Sequence, residues 1–163
     1  MIEIKNISKQ FGKLEVLKSV NIELLKGECV ALIGPNGCGK TTLIKCILGM
    51  VIPSAGEIKF EGRSILNEYL YRERIGYMPQ IGRYPENMRI GQIIEMMKDI
   101  RSVDEAQDNE LYQAFDLPSL LDKKMRTLSG GTTQKVSATL AFMFNPDVLI
   151  LDEPTAGLDP IAS

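Results

Sequence analysis

Nine consecutive residues, Gly34-Pro35-Asn36-Gly37-Cys38-Gly39-Lys40-Thr41-Thr42, set three glycines against one ammonium and two hydroxyls. The pattern G-x-x-x-x-G-K-T, placed after the apolar run Cys29-Val-Ala-Leu-Ile33, predicts a phosphate-binding loop between a buried strand and a helix. Glycines let the backbone turn tightly enough for successive N–H groups to converge on phosphate oxygens, and the helix that follows presents its positive end to the same anion. Lys40 is expected to reach the β- and γ-phosphates as a point charge. The Thr41 hydroxyl suits one ligand position on Mg²⁺, and Thr42 the α-phosphate side. A turn that merely joined strand to helix would need the glycines but neither the lysine nor the threonines.

A second group of chemically capable residues lies near the C-terminal end. Asp147-Val-Leu-Ile-Leu-Asp152-Glu153-Pro154 reads as an apolar strand that ends in two carboxylates. Open α/β sheets place their chemistry at such carboxyl ends. Asp152 suits a Mg²⁺ shell, and Glu153 suits orienting or deprotonating a water. Leu128-Ser129-Gly130-Gly131-Thr132-Thr133-Gln134 opens a helix with Ser129 placed as its cap. Two glycines ahead of a helix N-terminus allow a second anion site, and a capped helix start with no ligand satisfies the same residues. Phe11, beside Gly12, could stack on a purine base or belong to the core.

The elements that must position these residues follow from periodicity. Ile2 and Ile4 alternate with Glu3 and Lys5, and Val20, Ile22 and Leu24 with Ser19, Asn21 and Glu23, as in half-buried antiparallel strands. Leu43, Ile44, Ile47 and Leu48 predict a loop helix of about three turns stopped at Gly49. Ile58 and Phe60 suggest an exposed-edge strand. Arg74-Ile-Gly-Tyr-Met78 suggests a strand running into Pro79-Gln80, which puts Gln80 at a strand end. From Pro85 the pattern becomes helical: Ile90, Ile93, Ile94 and Met97 share one face, and Leu111, Ala114 and Phe115 another after the acidic Asp104-Glu105. Val136, Leu140, Met143 and Phe144 form the apolar face of the helix opened by Ser129. One domain is expected over 1–163, with 1–84 and 145–163 forming the core and 85–144 a helical insertion.

Composition agrees with an ordinary globular chain: 163 residues, 44% hydrophobic and 25% charged. A formal charge of −2 offers no bulk attraction to nucleic acid, and no nucleic-acid partner is expected. The longest apolar runs, Leu140 to Phe144 and Val148 to Leu151, fall short of the ~20 residues that span a bilayer. The alternating start, Met1-Ile-Glu-Ile-Lys-Asn, reads as a strand and not a signal peptide, so a cytoplasmic location is expected. Cys29, Cys38 and Cys46 lack the paired spacing of a disulfide or zinc framework and are expected to be free. Met88, Met96, Met97 and Met125 suit adaptable packing first and a partner surface second.

Taken together, these motifs make the chain closely resemble the ATP-binding subunit of ABC transporters over its whole length. The carriers are the Walker A loop at Gly34 to Thr42, the Q-loop glutamine Gln80, the LSGG signature at Leu128 to Gly131, Walker B at Val148 to Asp152 with Glu153 next, and a D-loop at Ala156-Gly-Leu-Asp159. The resemblance implies a P-loop NTPase core of the ABC ATPase type, with a mostly parallel sheet, an N-terminal antiparallel β portion and an inserted helical part. It implies ATP and Mg²⁺ as cofactors. Gly34, Asn36, Gly37, Cys38, Gly39, Lys40, Thr41 and Thr42 would contact the nucleotide, Phe11 would stack on adenine, and Ser129, Gly130, Gly131 and Asp159 would complete the site of a second subunit. Thr41, Gln80 and Asp152 would serve the metal, and Glu153, Lys40 and Gln80 the hydrolysis. Partners would be that second subunit, in a head-to-tail dimer, and a membrane-spanning permease at the inner face of the cell membrane.

Two departures stand out. Thr132 occupies the position of the usual signature glutamine, which bears on the ribose side of the site. The sequence contains no histidine, so the family's switch histidine beyond the D-loop is absent. Asp159 and Pro160 announce a helix of which only Ile161-Ala-Ser163 follow. The expectation is a subunit cut short after its D-loop, weak or inactive in hydrolysis, with the sheet strand between the Walker A and Walker B strands missing. A soluble non-transport ABC ATPase of repair or translation would call for paired cassettes or a long coiled-coil insertion. A small-molecule kinase would share the first motif but give no reason for Leu128 to Gly131 or the Asp152-Glu153 pair.

Overall fold

In the computed structural model, which describes residues 1–102 and 108–154, the N-terminal alternation becomes β1 (Ile2–Phe11), paired antiparallel with β2 (Leu14–Leu24). Ile2 faces Leu24, Ile4 faces Ile22, and Ile7 faces Val20. The step from Ile4 to Ile7 breaks the period of two. At that break the register shifts, and Asn6 takes φ 52. The extra residue turns Ile7 back to the inner face, so that Ile2, Ile4 and Ile7 are all fully buried. Side chains hold the bulge: the Asn6 N–H donates to Asn21 Oδ1 at 2.8 Å, and the Ser19 N–H to Ser8 Oγ at 2.9 Å.

On the other side of β1 lies β3 (Ala55–Phe60), antiparallel, followed by the two-residue β4 (Arg63–Ser64), giving the order β2-β1-β3-β4. The expected edge position of β3 is corrected here, since it lies between β1 and β4 with Ile58 and Phe60 buried. α1 (Lys40–Ile47) buries Leu43, Ile44, Cys46 and Ile47 and ends before Gly49 at φ 64. Its eight residues make about two turns, one fewer than the periodicity suggested, because Leu48 already serves as the C-cap. A larger correction concerns residues 29–33. They join no strand ladder among the described residues, and Val30 and Ile33 stand 52% and 93% exposed. Apolar β-branched residues favour a strand, but a ladder needs a second strand with a matching edge, which no local pattern supplies.

These elements make up the compact unit Met1–Arg72, and the rest of the chain forms a second unit, Glu73–Ser163. Here β5 (Ile75–Met78) and β6 (Val148–Leu151) pair in parallel, in register from Ile75 with Val148 to Met78 with Leu151. An ion pair marks the start of both strands, with Arg74 Nε 2.5 Å from Asp147 Oδ2. The helices are α2 (Ile90–Arg101), α3 (Glu110–Ala114) and α4 (Gly130–Phe142). Ile90, Ile93 and Ile94 from α2 meet Val136 and Leu140 from α4, together with Leu117, Met125, Met143 and Phe144. Met88, Met96 and Met97 pack against this core, which is the first of the two roles expected of the methionines. The acidic pair Asp104-Glu105 lies outside the described residues.

α4 approaches β5 most closely at Gly76, where a β-carbon would stand 2.0 Å from the Ala141 carbonyl oxygen and 2.8 Å from Pro146 Cγ. The obstructing atom is backbone and cannot swing aside. Gly76→Ala is therefore expected to destabilise the protein by about 3 kcal/mol, the upper part of the range for overpacked cores. Urea unfolding checks it, and an unchanged midpoint would contradict this close approach.

Candidate functional site

Each unit carries its own chemistry. In the first, the loop before α1 is exposed from Gly34 to Cys38, while Gly39 is buried at φ 100 as the N-cap residue. A β-carbon on Gly39 would stand 2.9 Å from Leu17 Cδ2 and 3.0 Å from the Val16 carbonyl of β2, so only glycine brings the loop this close to the hairpin. The N-cap of α1 is a glycine, which has no side chain to cap the helix. Lys40 Nζ donates to the carbonyls of Gly34 at 2.8 Å and Pro35 at 3.1 Å, bracing the loop across its opening. Thr41 and Thr42 follow, half-buried. A glycine-rich turn, an ammonium and a helix start are the groups that binding an anion with several oxygens requires. Phe11 ends β1 half-exposed, outside the buried core, with the Lys9 ammonium 5.0 Å above its ring.

In the second unit the parallel pair delivers two carboxylates. The Asp152 N–H donates to Met78 O at 2.9 Å, which extends the ladder by one bond and buries Asp152 to 4% exposure. Burial, and then the nearby Asp152 carboxylate, push the Tyr77 phenol above its ordinary range. Glu153 leaves the strand at φ 52, a left-handed conformation that costs a residue with a β-carbon about 1–3 kcal/mol. That turn aims its carboxylate at Gln80: Nε2 donates to Glu153 Oε2 at 2.6 Å. Two residues 73 apart in sequence, both expected to act in hydrolysis, thus meet at the ends of adjacent strands. Ser129 caps α4 as expected, its Oγ accepting from Thr132 N at 3.2 Å. Thr132 keeps a hydroxyl contact of its own with Ser129 at 2.9 Å. Gly130 and Gly131 form the first turn of the helix. Asp159 and the D-loop lie outside the described residues.

Sequence reading gave Gln134 and Ser137 no role, and placed Tyr84 only on a surface, around Gln80 and Tyr84 to Met97, expected to face a membrane-spanning partner. Gln134 Nε2 donates to the Gln80 carbonyl at 2.8 Å, and Tyr84 donates to Ser137 Oγ at 2.9 Å. Burial raises the Tyr84 phenol, partly offset by that hydroxyl contact. The available signal was a polar pair three residues apart, Gln134 and Ser137, flanking the apolar Val136 in α4. Cys29, Cys38 and Cys46 are free, and no cluster of metal-ligating side chains occurs among the described residues.

The family model described as "ABC transporter" matches residues 17–156. The chain belongs to this family. The sulfate/thiosulfate import ATP-binding protein CysA of Pectobacterium atrosepticum is 36% identical, over 97% of this chain and 50% of its own length. The zinc import ATP-binding protein ZnuC of Psychrobacter cryohalolentis is also 36% identical, over 98% of this chain and 63% of its own. The chain is α/β, with an antiparallel N-terminal sheet and a parallel pair. A solved ATP-binding subunit of an ABC transporter superimposes with TM-score 0.84 at 30% identity, covering 99% of this chain and 70% of that one. A dimeric ATP-binding cassette in a post-hydrolysis state with ADP and Pi gives 0.82 at 26% identity, covering 99% and 78%. The chain spans about half the length of the first curated relatives it matches.

Proposed function

We propose that this ABC cassette is the ATP-binding and ATP-hydrolysing motor of a transporter, working on a separate membrane-spanning partner. The observation that carries the reading is the Gln80–Glu153 contact of 2.6 Å beside buried Asp152, which supports a carboxylate held ready for a water. Lys40 and the N-terminal end of α1 would bind the β- and γ-phosphates, and Phe11, exposed at the hairpin end, would stack on the adenine. Thr41 and Asp152 carry the hard oxygen donors that Mg²⁺ prefers, with Gln80 as a third. When bound, Mg²⁺ would neutralise charge on the phosphate oxygens. Glu153 would orient the water and take its proton.

Ser129, Gly130 and Gly131 would serve the nucleotide of a second cassette in a head-to-tail dimer, a reading supported by the dimeric ADP–Pi neighbour. No helix among the described residues is long and apolar enough to cross a membrane. The cassette would act at the inner face of the cell membrane through a permease. Relatives at equal identity are named for sulfate/thiosulfate and for zinc import, so the solute would be chosen by the permease and not by this fold.

The test is nucleotide-dependent stability and turnover of the intact protein. ATP with Mg²⁺ at about a hundred times its Kd should stabilise the fold by about 2.7 kcal/mol. Phosphate release should stop on chelation with EDTA. A melting temperature unmoved by millimolar Mg-ATP, with no phosphate released, would overturn the reading.

A further inference from the structure

Three of the six buried residues of α4 are apolar, Val136, Leu140 and Ala141, and three are polar, Gln134, Ser137 and Thr139. Thr139 turns back to the Lys135 carbonyl of its own helix at 3.0 Å. Gln134 and Ser137 instead face the segment that follows β5. Gln134 Nε2 donates to Gln80 O at 2.8 Å, and Tyr84 donates to Ser137 Oγ at 2.9 Å. Between those two bonds, Gly82 runs so close to the helix that a β-carbon would stand 2.3 Å from Ser137 Oγ. Residues 80 and 84 are therefore hydrogen-bonded to α4, with Gly82 passing close to the helix between them. The main chain of Gln80 is held by the helix, and its side chain holds Glu153 at 2.6 Å.

We propose that Gln134, seconded by Ser137 and Tyr84, is a positioning residue that makes the signature helix set the placement of the hydrolytic carboxylate. α4 starts at Ser129 and Gly130, so a ligand or partner that shifts this helix moves the Gln80 main chain and, through the Gln80 amide, Glu153. The inference rests on the ATPase reading above. It adds a specific link from the signature end to the carboxylate, carried by a residue that touches neither nucleotide nor water.

A double-mutant cycle on the intact protein tests it. Gln134→Met keeps the volume and removes the amide donor. It should lower kcat about 10-fold and leave ATP Kd within about twofold, the pattern of a lost transition-state contact. Tyr84→Phe, which removes only a hydroxyl, should do the same more weakly. In the Gln80→Ala background, Gln134→Met should add almost nothing, whereas effects that multiply would overturn the proposal. A second measurement does not depend on turnover. A fluorescent unnatural residue at exposed Ile81 reads the motion of the segment directly, and its residual anisotropy should fall in Gln134→Met. Unchanged anisotropy overturns the clamp even if the parent protein proves to have no ATPase activity, which would separately refute the proposed function.

Discussion

Glu153→Gln in the intact protein is expected to reduce ATP turnover by about 10²- to 10⁴-fold, the usual worth of a positioned general base, with ATP affinity unchanged. The structure makes this substitution unusually clean. Glu153 Oε2 accepts a hydrogen bond from Gln80 Nε2 at 2.6 Å, and a glutamine oxygen at the same place still accepts it, though more weakly because the charge is gone. The backbone at 153 sits at φ 52, and glutamine bears the same left-handed cost as glutamate, so the turn is kept. What disappears is the carboxylate's capacity to take a proton. If two cassettes close on ATP, the variant should accumulate as an ATP-bound dimer on size exclusion. Turnover at the parent rate would remove Glu153 from the chemistry. Intact turnover in Glu153→Gln together with loss in Gln80→Ala would move the central role to Gln80.

Much of this site was legible from residue order because its parts are local. Val148 to Leu151 is four apolar residues ended by carboxylates, and it forms a strand wherever a partner is present. Ser129 two residues ahead of Gly131 and three ahead of Thr132 is a cap by chemistry alone, and it caps. Ile90, Ile93 and Ile94 mark the buried face of α2 because helical period is a property of one segment. The failures are non-local. Residues 29–33 have the composition of a strand, but pairing belongs to two segments, and among the described residues none pairs with them. The bulge at Asn6 is visible only as an Ile4-to-Ile7 step whose meaning depends on Asn21 and Ser19 across the hairpin. Gln134 looked like one polar residue in a helix start until its partner, 54 residues away, was in place.

Lys40→Ala should give the second large effect, and on binding as well as turnover. Its ammonium donates to Gly34 O at 2.8 Å and Pro35 O at 3.1 Å, so the side chain lies across the mouth of the loop and braces it from within. Removing it takes away the loop's one ammonium and two hydrogen bonds that keep the Gly34–Pro35 turn in shape. Hydrogen bonds to charged groups contribute about 1.5–3 kcal/mol each, so losing one phosphate contact should weaken ATP binding about 10- to 100-fold. Lys40→Arg should not restore it. A planar guanidinium offers a fork where the two carbonyls and the phosphates call for a compact ammonium, and its bulk meets a loop already pinned at Gly39 against Leu17 and Val16. Titration with a fluorescent ATP analogue at fixed Mg²⁺ separates this from Glu153→Gln, which should bind like the parent. The pairing of the two results is what the proposed division of labour requires: one residue for holding phosphate, the other for activating the water that attacks it. A Lys40→Ala protein that binds ATP within about threefold of the parent, well inside one charge-assisted bond, would show that the loop's N–H groups hold the anion without it.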